Sequence, residues 1–165
     1  MFPVKILVIL PCNKFAKEGN YFKGRYWKDA DKIRKKLNLN VSFAAIDCIP
    51  VFKKGENDAI VLETEMHRVV GEDVYPEYDE TKIPKLADAI KNGLLRVSKS
   101  FDKIIILLNV KFYIEATKKA LETIPEEIRN KITFHSIYGF PGKFRKLIIT
   151  ELKKLKSLDD FSRAP

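Results

Sequence analysis

A chain of 165 residues is about one domain's worth of protein, long enough to bury a substantial core. Hydrophobic residues make up 45% and charged residues 32%, which excludes a disordered chain, and no apolar run approaches the ~18 residues of a helical membrane span. The net charge of +9 points to an anionic partner such as nucleic acid, with solubility alone as the plainer account.

The first element is the run Val4 to Leu10, which passes into Pro11-Cys12-Asn13-Lys14-Phe15-Ala16-Lys17. An apolar run that stops at a proline and yields to small, polar and basic residues predicts a buried parallel strand delivering a loop to the carboxyl edge of a sheet. Ligands bind at that edge in open α/β sheets, so Cys12, Asn13, Lys14 and Lys17 are the first candidates for chemistry. Trp27 to Leu37 then predicts an amphipathic helix with a basic outer face, ending at Asn38 to Asn40. Val41 to Ile49 predicts a second strand, ending in Asp47-Cys48-Ile49-Pro50; parallel pairing with the first would bring Cys12 and Cys48 to one edge.

Ala59 to Glu63 predicts a short third strand, and Met66 to Asp79, with its aromatics and turn residues, a structured loop. Lys82 to Ser98 predicts a helix with Ile83, Leu86, Ala87, Ile90 and Leu94 on one face. Phe101 to Asn109 holds the plainest strand, Ile104 to Leu108, with Asn109 at its carboxyl end. A helix over 112–124, a strand over 132–137 and a basic helix over 143–155 complete the order. Such alternation predicts an α/β fold: a three-layer α/β/α sandwich with a mainly parallel sheet of four or five strands. It forms a single domain over 1–156, followed by a frayed tail over 157–165.

The two cysteines have no C-x-x-C spacing, and His67 and His135 stand apart, so no metal site is expected. No Gly-x-Gly-x-x-Gly follows an early strand, which argues against NAD or FAD; no cofactor is expected. No nucleophile elbow for Ser-His-Asp hydrolysis occurs either. His67 and His135 read as structural or solvent-facing. The amino-terminal run is short, carries Lys5 and lacks a small-residue cleavage pattern, so the expectation is a cytoplasmic protein. Glutamine is absent while Lys and Glu abound, a bias of heat-adapted proteins.

Pro11-Cys12-Asn13, three residues, then Lys17 resembles the Pro-Cys-Ser-x-x-x-Lys motif after the first strand of the α/β domain in archaeal tRNA-guanine transglycosylases and archaeosine synthases. Val74-Tyr75-Pro76-Glu77-Tyr78-Asp79 is similar to that domain's second landmark, a Tyr-Pro followed by Tyr-Asp. The same landmarks, in looser form, occur in small uncharacterised Cys-Ser-Lys proteins and in the peroxide-stress group. The resemblance implies a fold similar to uracil-DNA glycosylases. In the synthase branch it also implies a lysine, matched by Lys17, that attacks the nitrile carbon of a 7-cyano-7-deazaguanine base in tRNA. The motif's Ser is Asn13 here, Glu18-Gly19 replaces its Pro-Tyr, and its following histidine is absent.

Each candidate also has a structural account. Lys17 is a nucleophile if deprotonated, or else a phosphate-contacting or solvated lysine. Cys12 is a nucleophilic thiol or a small buried residue packing the strand end. Asp79 is a general acid or base, a cap for the helix beginning near Lys82, or both. Asn13, Lys14, Cys48, Tyr78 and Asn109 are placed as substrate-binding residues. Arg25 joins Lys143, Arg145 and Lys146 as a nucleic-acid contact. The segment Gly139-Phe140-Pro141-Gly142-Lys143 is not a P-loop, yet it sets amides and cations at a helix start, with Tyr138, Phe140 and Phe144 available for stacking. Two functions follow: a module, detached from a larger tRNA-modifying enzyme, that binds nucleic acid (tRNA favoured) or a nucleobase-like small molecule, or an enzyme acting on a 7-deazaguanine through Lys17.

Overall fold

A computed structural model of the protein describes residues 4–13, 21–46 and 78–158, and by backbone alone 60–62 and 159–163. The elements are β1 (Ile6–Pro11), α1 (Arg25–Leu37), β2 (Val41–Ile46), β3 (Ile60–Leu62), α2 (Ile83–Val97), β4 (Lys103–Leu108), α3 (Lys111–Thr123), α4 (Glu126–Arg129), β5 (Ile132–Ser136) and α5 (Pro141–Arg163). Short 3₁₀ turns at Tyr21–Lys23 and Glu80–Lys82 lead into α1 and α2.

The strands form one parallel sheet in the order β3-β2-β1-β4-β5. Register sets Pro11 opposite Ile46 and Ile9 opposite Ile106, so the carboxyl ends of β1, β2 and β4 lie along one edge. From β1 the chain winds outward through β2 to β3, then returns to build β4 and β5 on the other side. Because β-α-β crossovers are right-handed, that reversal puts helices on opposite faces. Accordingly, α1 packs with α5 on one face and α2 with α3 on the other. The three-layer α/β/α expectation therefore holds.

Double coverage explains the unbroken apolar strands. Ile6 to Leu10 and Ile104 to Leu108 are buried along their whole length, since neither face of the sheet meets water there. Trp27 and Ala30 of α1, and Phe144, Ile148, Leu152 and Leu155 of α5, recur at helical spacing and seal the α1/α5 face. Helix α1 ends where Asn38 takes the left-handed conformation, φ 51°, and its amide reaches back to the last carbonyls.

Two expectations change. The final helix does not stop at Leu155 but runs to Arg163, because Leu158 continues the apolar stripe against the core; most of the expected tail is helix. His135 is not without a partner: its Nε2 lies 3.5 Å from the buried Glu151 carboxylate, which Lys154 also contacts at 3.0 Å. The expected loop over 66–79 falls outside the described residues except for Tyr78 and Asp79, as does His67.

Candidate functional site

Strand order reverses between β1 and β4, and a crevice opens at the carboxyl edge at such a switch point. Cys12 and Asn13 leave β1 there, and Asn109 leaves β4. The starts of α1, α3 and α5 are brought to the same edge by the parallel winding.

The β1 exit is fixed from α1. The Trp27 Nε1 donates to the Pro11 carbonyl at 2.8 Å in a buried bond, and Trp27 stacks on Tyr21 with centroids 5.0 Å apart. Asn13 Nδ2 donates to the Tyr21 carbonyl at 2.8 Å. Gly24 caps α1 directly beneath that amide, and a Cβ at Gly24 would fall 2.3 Å from Asn13 Nδ2. Glycine is therefore required by close approach rather than by a turn.

Cys12 Sγ lies 3.5 Å from Tyr113 Oη, and both side chains are buried, so this contact joins the β1 exit to α3. Across the crevice, Asn109 Nδ2 donates to Tyr26 Oη at 3.4 Å, a long bond for an amide with four hydrogen-bonding positions. Tyr26 in turn packs its ring edge to face against the buried Phe144, at 4.8 Å. Asn13, Tyr26 and Asn109 are thus part-buried near the carboxyl ends of β1 and β4, while Trp27, Cys12 and Tyr113 are buried.

Asp79 takes the capping role. Its Oδ1 accepts from the Thr81 amide at 3.0 Å and from the Thr81 hydroxyl at 2.6 Å. Those bonds hold its carboxyl below the usual carboxylate range, with a smaller contribution from Lys82. At neutral pH it is an ionised cap. Lys14, Lys17 and Cys48 lie outside the described residues, as does Asp47.

The basic residues near α5 divide. Lys143, Arg145 and Lys146 are exposed, as is Arg25. Arg145, however, forks onto Asp29 of α1, with Nε to Oδ2 at 2.7 Å, and so ties α5 to α1. Phe144 is fully buried and unavailable for stacking, which corrects its expected role; Phe140 is 58% exposed and carries Lys143 Nζ 4.9 Å from its ring centre. Gly139 makes the turn into α5 at φ +62°, where a side chain would be strained.

Sequence reasoning missed Tyr26, Trp27 and Tyr113 as site residues. The adjacent aromatics at the α1 start were a usable signal for the first two. Nothing local marked Tyr113, 101 residues from Cys12. No family model and no curated protein matches the chain. Among the described residues no group of acidic, histidine and cysteine side chains is arranged to hold a metal ion, and no helix is long and apolar enough to cross a membrane.

Proposed function

We propose that this chain is a binding module related to the α/β domain of archaeal tRNA-modifying enzymes, and that it takes nucleic acid, tRNA in particular, with a base held at the β1/β4 switch point. One observation carries the reading: Tyr26 and Asn109 stand part-buried at the start of α1 and the carboxyl end of β4, and a side-chain amide pairs with the donor and acceptor edge of a base. The surroundings suit the anionic backbone of such a ligand. Helices α1 and α3 have no acidic residue in the first turn and no side-chain cap, so their first amides favour an anion.

Trp27 is the sole tryptophan, and it abuts the crevice through Pro11. Titration of the protein with unmodified tRNA at low salt should therefore change its emission, saturably. Asn109→Ala should weaken binding by about tenfold, the range of one lost base contact, while leaving the melting temperature within about 2 °C. Absence of any saturable change, with no binding by filter retention, would remove the reading. The enzyme alternative rests on Lys17: Lys17→Arg keeps the charge but no readily deprotonated amine, so a covalent adduct with a nitrile-bearing deazaguanine should appear by intact mass on the wild type alone.

A further inference from the structure

Among the described residues, the exposed large hydrophobic side chains are Tyr78, Tyr138 and Phe140, at 44, 43 and 58%. All lie at the carboxyl edge of the sheet: Tyr78 just before the turn into α2, and Tyr138 and Phe140 between β5 and α5. Each ring has a lysine ammonium over it. Lys111 Nζ is 4.2 Å from the Tyr78 centre, Lys118 Nζ 5.9 Å from Tyr138, and Lys143 Nζ 4.9 Å from Phe140.

One row of α3 aligns the first two. Lys111, Glu115 and Lys118 follow one another at four and three residues, and so share a face of the helix. Tyr78 lies over Lys111 and meets Phe112 edge to face at 6.0 Å, while the Tyr138 hydroxyl donates to Glu115. Tyr78, Glu115 and Lys118 line a single groove. Two residues beyond Tyr138, past the Gly139 turn, comes Phe140. The rings therefore succeed one another along one edge.

Exposed aromatic faces with cations beside them match the needs of unpaired bases and their phosphates. A base stacked on a ring displaces the lysine from its face, and the freed ammonium then meets the adjoining phosphate. Duplex bases present no such faces. Glu80 and Glu122 also line the groove, and Lys118 Nζ lies 3.9 Å from the Glu115 carboxylate there, so that stretch suits a base more than a phosphate, and the phosphates fall first to Lys111 and Lys143. We infer that Tyr78, Tyr138 and Phe140, with Lys111, Lys118 and Lys143, form a stacking track for a single-stranded nucleic acid. This inference deepens the nucleic-acid reading above and rests on it.

The test uses the whole protein with three labelled probes: an oligouridylate of about twelve nucleotides, within the footprint of one small domain, the same strand paired with oligoadenylate, and inorganic polyphosphate. The single strand should bind at least tenfold tighter than the other two. Tyr78→Leu with Phe140→Leu keeps apolar bulk but removes two ring faces, and should weaken single-strand binding about tenfold or more without moving polyphosphate binding. Tyr78→Phe with Phe140→Tyr keeps both faces and should restore it. Circular dichroism checks the fold, and Phe140→Leu alone, at the most exposed ring, serves if the pair does not fold. Equal binding of single strand, duplex and polyphosphate, or unchanged binding in the leucine variants, overturns the track. If wild-type protein retains tRNA while the leucine pair binds it equally well, the track alone fails; if wild type retains no tRNA at low salt, the broader reading fails with it.

Discussion

At the residue scale, Gly24 and Asn13 form the tightest joint at the switch point. The Asn13 amide is held by the Tyr21 carbonyl, and the absence of a Gly24 side chain makes room for it. Gly24 itself has φ −75° and ψ 150°, which any residue adopts, so the requirement is for space alone. Gly24→Ala should turn the Asn13 amide away, breaking its bond and costing about 1–2 kcal/mol by urea unfolding. In an Asn13→Ala background the same change should cost less, because the amide in the way is gone and only the Tyr21 carbonyl oxygen, 3.3 Å from the new Cβ, remains close. Additive losses in this double-mutant cycle would show that Gly24 serves some other purpose.

At the element scale, α1 carries an ion-pair set that aims a cation at the core rim. Asp31 holds Arg34 at 2.5 Å and Lys35 at 2.9 Å, and Arg34 lies over the rings of Phe43, at 4.7 Å, and Phe22, at 5.5 Å. Burial pushes the Asp31 carboxyl up, but the hydrogen bonds and charges of Lys35 and Arg34 together outweigh it and bring it below the usual value. A depressed carboxyl contributes stability above its unfolded value and loses it as pH falls through the folded one. Asp31→Asn should therefore cost about 0.5–1 kcal/mol at pH 7, and the two proteins should begin to converge in urea melts only as pH falls below about 4. The same scale shows what the sequence disclosed. Strands such as Ile104 to Leu108 were legible because burial on both faces leaves an unbroken apolar run, and crossovers of ten or more residues made them parallel. Helix α4 carried too few residues for any period, and beyond Leu155 the extension of α5 offered only Leu158 and Phe161 among polar and charged residues. At the site, Asn13 and Asn109 were legible from their places at strand ends, whereas the bonds that define their surroundings, Trp27 to Pro11 and Cys12 to Tyr113, join residues that only the folded sheet brings together.

At the scale of the whole molecule, a net charge of +9 draws polyanions from every side, but location decides which charges they neutralise. The winding puts helix starts at one edge of the sheet and helix ends at the other, so the two edges can be compared at equal charge. Lys143, Arg145 and Lys146 lie exposed at the carboxyl edge; Lys5, Lys36 and Lys99 lie exposed at the amino edge. Changing either trio to Ala removes three positive charges and should alter long-range steering similarly. Only phosphates in contact release condensed counterions, so the slope of log K against log salt reports the contacts themselves. The carboxyl-edge trio should flatten that slope by about 2 rather than 3, because Arg145 is already committed to Asp29. The amino-edge trio should leave the slope within about 0.5. Filter binding of tRNA between about 50 and 200 mM salt measures both. Equal flattening by the two trios would mean that charge is spread without an interface and would sink the assignment of the carboxyl edge as the binding face.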